Sequence, residues 1–295
     1  MGDGSTIASA NAEAIEAWDG VLFDRWLEFR HIYTTGLGRH SDEAMHHFGP
    51  KEGERVIDLG CGLGDTTQDL AHLVGAGGEA VGVDSSPRFV EAARREAAEA
   101  GISNVSFEVT DVEAEVPGSG YDLAFSRMGT MFFANPVAAM RNVRSALRPR
   151  GRFCVVVWRL KAENEAFYRA EHVVERFLSH PDETDEPTCG PGPFSMANAD
   201  TTSGILKAAG FEEISLRRCD LPIKLGDDIA EAVSCITALG PAAELIRVNE
   251  EEGERLRPKI EAALKEELGD LASDDGVWAP ASTWIVTARN SRTEA

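Results

Sequence analysis

The stretch Val56-Ile57-Asp58-Leu59-Gly60-Cys61-Gly62-Leu63-Gly64-Asp65-Thr66-Thr67 decides how the rest of the chain is read. An apolar strand runs into three alternating glycines, and a helix opens directly behind them. Glycine suits such a turn because the strand must reverse sharply and a ligand must lie against bare backbone, where a Cβ would collide. Working outward, strand and helix signals alternate. Strands are expected at Arg55–Leu59, Glu79–Val83, Val105–Val109, Tyr121–Phe125, Phe153–Trp158, Phe211–Arg217 and Thr283–Ala288. Between them, Asp65 is a candidate helix cap with Gln68 three residues on. Ser86-Pro87 and Asn135-Pro136 each combine a cap with a proline in the first turn, and Gly101 and Gly210 end helices. Alternation of this kind implies an α/β fold with a doubly wound, mostly parallel sheet.

Composition sets the outer limits. The 295 residues suit one large domain with insertions, 43% of them are apolar, and no apolar run of membrane-spanning length occurs. The balance of 29 basic against 50 acidic side chains gives a net charge of −21, which disfavours a nucleic-acid partner because backbone binding needs a basic stripe. Met1 to Ala14 lacks the basic and apolar regions of a signal peptide and reads as a disordered leader. Five scattered cysteines, without Cys-x-x-Cys spacing, point to a reduced, cytoplasmic protein. Cys61, inside the glycine turn, is read as a small packing residue and not as a nucleophile. His46-His47 with Glu43 lacks a third ligand, so no metal site is expected.

In doubly wound sheets, ligands sit beyond the carboxyl ends of the strands where the strand order reverses. The first strand carries Asp58 and leads to Gly60, Gly62 and Gly64; the second ends at Asp84-Ser85, the third at Asp111-Val112 and the fourth at Ser126-Arg127. Asp84 follows the glycines at about the spacing of a carboxylate that accepts hydrogen bonds from a ribose diol, an arrangement that also fits NAD. The dinucleotide fingerprint itself is incomplete, because its third glycine would fall on Asp65 or Thr67. No Tyr-x-x-x-Lys hydride-site signature appears either.

The glycine stretch resembles motif I of class I S-adenosylmethionine (SAM) dependent methyltransferases, (V/L)-L-D-x-G-x-G-x-G. Tyr121-Asp122-Leu123-Ala124-Phe125-Ser126-Arg127-Met128-Gly129-Thr130-Met131-Phe132-Phe133, Leu147-Arg148-Pro149-Arg150-Gly151-Arg152-Phe153 and Pro193-Phe194-Ser195 extend the likeness. They resemble bacterial small-molecule methyltransferases of the ubiquinone/menaquinone C-methyltransferase-like superfamily, over about residues 53–158, 193–225 and 283–289. Arg150 stands where that family usually has glycine, a surface-turn change read as being of little consequence. The resemblance implies a seven-stranded Rossmann-like methyltransferase sheet, with the last strand inserted antiparallel between the fifth and sixth, and a helical cap. It implies SAM as cofactor and S-adenosylhomocysteine as product. Gly60, Gly62 and Gly64 would make room for the amino-acid portion, Asp84 would hold the ribose, and Ser85 would face the adenine. Asp111 and the Val112 N–H would read the adenine edge, Ser126 with Arg127 would lie near the ammonium, Arg39 would pair with the carboxylate, and Asp58 would orient the glycine turn.

Methyl transfer is an in-line displacement at an activated carbon, so positioning and exclusion of water supply most of the rate. No base is identified; His31, Tyr33 and His40 are the candidates that could reach the pocket, each with a structural or surface role as the alternative. The chain divides into an N-terminal lid (1–50), a SAM-binding core (51–159), a cap insertion (160–198), a core helix and strand (199–226), a helical cap insertion (227–275) and a last strand with a tail (276–295). The lid carries Trp18, Phe23, Trp26, Phe29 and Tyr33. Large apolar side chains need a partner surface; Trp26 and Tyr33 are therefore expected to close an acceptor pocket with Met128, Met131, Phe132 and Phe133. The expected activity is methyl transfer to a small, largely apolar metabolite, by a cytoplasmic protein without a nucleic-acid partner or membrane span, with a homodimer as a candidate assembly. The alternatives are a SAM-binding protein without catalysis and an NAD-dependent oxidoreductase.

Overall fold

A computed structural model describes residues 11–180 and 191–291. In chain order the elements are α1 (Ala12–Asp19), α2 (Val21–Glu28), α3 (Arg30–Phe48), β1 (Arg55–Leu59), α4 (Asp65–Val74), β2 (Glu79–Asp84), α5 (Pro87–Glu99), β3 (Val105–Val109), β4 (Tyr121–Arg127), α6 (Pro136–Ala146), β5 (Leu147–Trp158), α7 (Glu165–Val174), α8 (Ala199–Ala209), β6 (Phe211–Asp220), β7 (Ile223–Gly226), α9 (Ile229–Ala238), α10 (Pro241–Arg247), α11 (Glu250–Glu267), β8 (Ala272–Ser273), β9 (Gly276–Ala279) and β10 (Ser282–Asn290).

Seven strands form one sheet in the order β3-β2-β1-β4-β5-β10-β6. β1, β2, β3, β4 and β5 run parallel, while β10 is antiparallel to both β5 and β6, as expected for the last strand. β1, β4 and the end of β5 are buried almost throughout, because helices cover both faces of the sheet. The strand order reverses between β1 and β4, and this opens a crevice at their carboxyl ends.

Caps read from sequence at Ser86 and Asn135 are formed, each accepting from a backbone N–H three residues on. Gly210 ends α8 in the left-handed region. Asp65 is not the cap of α4. Gly64, left-handed, takes that place, and the Asp65 carboxylate is engaged by Arg30. Ala12–Ala14, read as part of a disordered leader, belongs to α1, where Ala14 is buried; residues 1–10 lie outside the described residues. Arg150, read as inconsequential, sits in the left-handed region at φ 59° and is held by an ion pair with Glu213.

A second sheet, β7-β9-β8, is absent from the sequence reading. Its strands are two to four residues long, too short for a period-two pattern to show. Gly36 of α3 lets the helix lie on β7: a Cβ there would stand 2.9 Å from the Lys224 carbonyl oxygen. No single helix among the described residues is long and apolar enough to cross a membrane. The apolar α9–α10 pair, bent by 61°, turns its buried side chains toward the core and the crevice.

His40 is fully buried where α3 meets β6 and β10. Its Nε2 faces the Leu221 carbonyl at 3.1 Å and therefore carries the proton, and its Nδ1 lies 3.0 Å from the Thr283 hydroxyl. Burial, with Arg39 nearby adding to it, pushes its pKa down to about 4. The unfolded chain takes up this proton near pH 6.5 and the folded chain only near 4, so the stability His40 contributes is complete above pH 6.5 and declines below it. The loss across that window is about 3 kcal/mol. His40→Gln should flatten this decline relative to the unmodified protein in urea titrations between pH 7 and 4. Parallel curves for the two proteins would contradict the assignment.

Candidate functional site

The crevice at the β1/β4 switch is the floor of a cavity of about 580 Å³. Its construction begins with the backbone after β1. A Cβ on Gly60 would stand 2.9 Å from the Gly129 Cα, so the turns after β1 and β4 approach too closely for any side chain between them. Ser126 supports this approach from below: its Oγ donates to the Leu59 carbonyl at 2.6 Å and accepts from the Gly129 N–H at 3.3 Å. The next residue but one, Met128, lies in the left-handed region at φ 63° and lines the cavity, local strain of the kind that concentrates at functional sites.

Asp84 ties the glycine turn to the end of β2. Its Oδ2 accepts from the Gly62 N–H and its Oδ1 from the Ser86 N–H, each at 3.0 Å. A carboxylate has about four acceptor sites, so both oxygens keep capacity for a ligand while their orientation is fixed. Burial pushes the Asp84 pKa up, and the two backbone donors oppose it. Asp58, almost fully buried, accepts from the Thr67 hydroxyl at 2.7 Å; burial pushes its pKa up to about 7. Asp111 Oδ1 accepts from the Glu113 N–H and from the Asn11 side chain at 3.2 Å. Burial, with Asp84 and Asp58 adding negative charge, pushes the Cys61 thiol well up, which keeps it protonated and unreactive.

The N-terminal helices lie across these strand ends. Asp19 accepts from the Ser86 hydroxyl and the Arg88 N–H just beyond β2, and Arg30 bridges Asp65 and Glu96, both at 2.6 Å. Trp18 packs edge-on to Phe132 with ring centroids 5.0 Å apart, and Trp26 stacks on Tyr33 at 4.6 Å. The Tyr33 hydroxyl meets the Cys235 thiol at 3.2 Å, and burial holds its pKa well above the usual phenol range.

Of the residues singled out from sequence, Asp58, Gly60, Gly62, Asp84, Ser85, Asp111, Val112, Trp26, Tyr33, Met128, Met131, Phe132 and Phe133 line this one cavity. Four do not. Ile32, Tyr33, Gly36 and Leu37 form the cavity face of α3, and the turn of the helix points His31 the other way, where it meets Glu231 at 2.9 Å. Arg39 lies over the Trp278 ring, 5.6 Å from its centroid, too far round α3 to meet a ligand carboxylate. Ser126 is wholly buried beneath the turn it supports. Gly64 is needed for packing: with φ at +81°, its Cβ would stand 2.8 Å from the Phe107 ring. His40, the remaining base candidate, is the buried core histidine already described.

One group was missed, and one was placed near the ligand in a different role. Arg127 lines the cavity and, among the described residues, makes no hydrogen bond or ion pair. Burial pushes its pKa down, while Asp65, Asp58, Asp69 and Asp42 oppose the shift. Its position at the end of β4 was visible in sequence, but its lack of a partner was not. Glu171 of α7 lines the same cavity, paired with Lys161. With Glu175 and His180 it makes the one grouping of possible metal ligands among the described residues. The Lys161 ammonium already occupies one Glu171 oxygen and would repel a cation.

Comparison with known proteins places this geometry. A methyltransferase-domain family matches residues 50–201, just over half of the chain. The chain belongs to that family. Among similar curated methyltransferases is aklanonic acid methyltransferase DauC of Streptomyces sp. (strain C5), 36% identical over 121 residues that cover 41% of this chain and 54% of that protein. The ubiquinone/menaquinone biosynthesis C-methyltransferase UbiE of Shewanella oneidensis is 33% identical over 110 residues, covering 37% of this chain and 44% of that enzyme. The chain thus spans about half the length of the curated relatives it matches. The crystal structure of the YcgJ protein from Bacillus subtilis superposes with a TM-score of 0.55 at 17% identity, covering 87% of this chain and 98% of that one, a likeness of fold alone.

The separation of roles among the three glycines is testable. Gly64→Ala should cost about 1–3 kcal/mol of stability by urea denaturation, since it combines strained backbone with a clash. Gly62→Ala should cost less, because its Cβ would stand 3.9 Å from its nearest neighbour. The reverse order would contradict this division.

Proposed function

We propose that this member of the methyltransferase-domain family transfers the methyl group of SAM to a small, largely apolar acceptor in the β1/β4 cavity. The observation that carries the reading is one cavity whose lining holds both polar strand-end groups and large apolar side chains. Gly60, Gly62, Asp84, Asp111 and Arg127 supply the polar groups at the strand ends, and Met131, Phe132, Trp158 and Phe167 are among the apolar ones.

The residues present suit SAM. The Asp84 carboxylate, already aligned by two backbone N–H groups, accepts from the ribose diol. Asp111 and the Val112 N–H read the adenine edge, beside Ser85. Arg127, whose guanidinium has no partner among the described residues, takes the methionine carboxylate in place of Arg39. Gly60 and Gly129 would leave open backbone for the cofactor at the cavity floor. When bound, SAM supplies a methyl carbon activated by positive sulfur, and the displaced electron pair returns to sulfur as the thioether product forms. The chain aligns the acceptor with that carbon and excludes water: Trp18, Trp26 and Tyr33 roof the cavity, Phe132 and Phe133 wall it, and the lid segment holds these groups in place. Every group in this account comes from a single chain, so a homodimer is not required for it. The likeness to DauC and UbiE supports methyl transfer as the reaction and leaves the acceptor to experiment.

Incubation with methyl-labelled SAM and a panel of apolar metabolites should transfer label to at least one of them. Asp84→Ala and Arg127→Met should each weaken SAM binding by about 1.5–3 kcal/mol in calorimetry, the usual value of hydrogen bonds to charged groups. Unchanged affinity in either folded variant removes that residue from the cofactor site. SAM binding without transfer to any acceptor would favour the non-catalytic alternative.

A further inference from the structure

Glu171 is 5% exposed, on a helix whose other inward residues are alanine and valine. A carboxylate in such a wall is costly unless it is paired. Lys161, just beyond β5, supplies the pairing through Oε2. Oε1 makes no hydrogen bond among the described residues, and Glu171, Lys161 and His180 all line the cavity. The His180 ring lies within 4.8 Å of the Glu171 carboxylate. Around them the cavity is aromatic. Phe167, one helical turn before Glu171, meets Trp158 edge-on with centroids 5.2 Å apart and Phe194 at 6.2 Å.

A purely structural ion pair would have no reason to stand in the lining of an aromatic cavity. Resting on the methyl-transfer reading, we propose that Glu171, held by Lys161, is the polar anchor of the acceptor site, and that the acceptor is an aromatic or polycyclic molecule bearing an uncharged hydroxyl that donates to Glu171. Lys161 balances the carboxylate's charge, so the pair offers a hydrogen-bond acceptor without the net negative charge that would call for a cationic ligand. An acceptor carrying a carboxylate would meet Glu171 as a like charge and is disfavoured at this end. Glu171 acts here as a specificity-determining residue.

The test uses the full chain saturated with S-adenosylhomocysteine and three probes of one shape: 2-naphthol, naphthalene and 2-naphthoate, each titrated by calorimetry at neutral pH. The unmodified protein should bind 2-naphthol about tenfold or more tighter than naphthalene, and 2-naphthoate weaker than 2-naphthol, as a hydrogen bond to a buried charged group requires. The double variant Lys161→Met/Glu171→Leu replaces the pair with apolar side chains of similar size. It should keep its affinity for S-adenosylhomocysteine and lose the preference for 2-naphthol. Should that variant fail to fold, Glu171→Gln decides: its weaker acceptor should reduce the same preference. Equal binding of 2-naphthol and naphthalene, tighter binding of 2-naphthoate, no binding of 2-naphthol, or a preference unchanged in the variants overturns the inference. If the unmodified protein binds no S-adenosylhomocysteine, the methyl-transfer reading fails and takes this inference with it. If it binds that product without discriminating the probes, only the anchor is wrong.

Discussion

The approach of two backbones, Gly60 after β1 and Gly129 after β4, is the constraint on which the rest of the site depends. At 2.9 Å from Cβ position to Cα, it admits no side chain at Gly60. The sheet reverses its strand order there, so the two turns diverge above their close approach and the crevice opens onto bare backbone. Ser126 fixes the approach from below by bonding to Leu59 and Gly129 together. Asp84 fixes it from the side by accepting from Gly62 and Ser86. Each of these polar side chains uses part of its hydrogen-bonding capacity on the frame and thereby becomes rigid.

Above that frame the N-terminal helices are attached by polar contacts at the strand ends. Asn11 reaches Asp111, Asp19 meets the turn after β2, and Arg30 bridges the first turn of α4 and Glu96 of α5. The groups that shape the crevice floor therefore also anchor its roof. Removing the negative charge of one strand-end acid acts both on the lining of the cavity and on the helix that covers it. Ion pairs with partly exposed partners are individually weak, so the roof is held by several small terms together with the packing of Trp18 and Trp26.

The sheet and its caps were legible in sequence because they follow from local rules. Three glycines behind an apolar strand, Ser86-Pro87 and Asn135-Pro136 each specify their turn within a few residues. Strand ends were equally legible, which is why Asp84 and Asp111 fell on the cavity. What sequence did not carry was rotation and partnership. His31 and Tyr33 are two residues apart on α3, yet only Tyr33 faces inward. Arg39 looked suitable as a cation but lies over Trp278, while Arg127 lines the cavity. Asp65 had the composition of a cap, but its carboxylate is drawn to Arg30, 35 positions away in sequence. Glu171 could not be separated from surface acids by spacing alone, because its burial depends on α7 packing beside α10. The small β7-β9-β8 sheet was invisible because its strands are too short to show alternation.

The central claim is that SAM occupies the β1/β4 crevice beneath the N-terminal helices. Amide hydrogen exchange in the presence of S-adenosylhomocysteine, with NAD as the control, tests it most directly. The account predicts slower exchange at residues 60–65, 84–86 and 110–112 and, in the same experiment, across residues 18–40, with no such change on adding NAD. Exchange unaffected by S-adenosylhomocysteine at the glycine turn, or slowed by NAD instead, would contradict the claim; protection of the turn without any change in residues 18–40 would leave the N-terminal helices a structural brace.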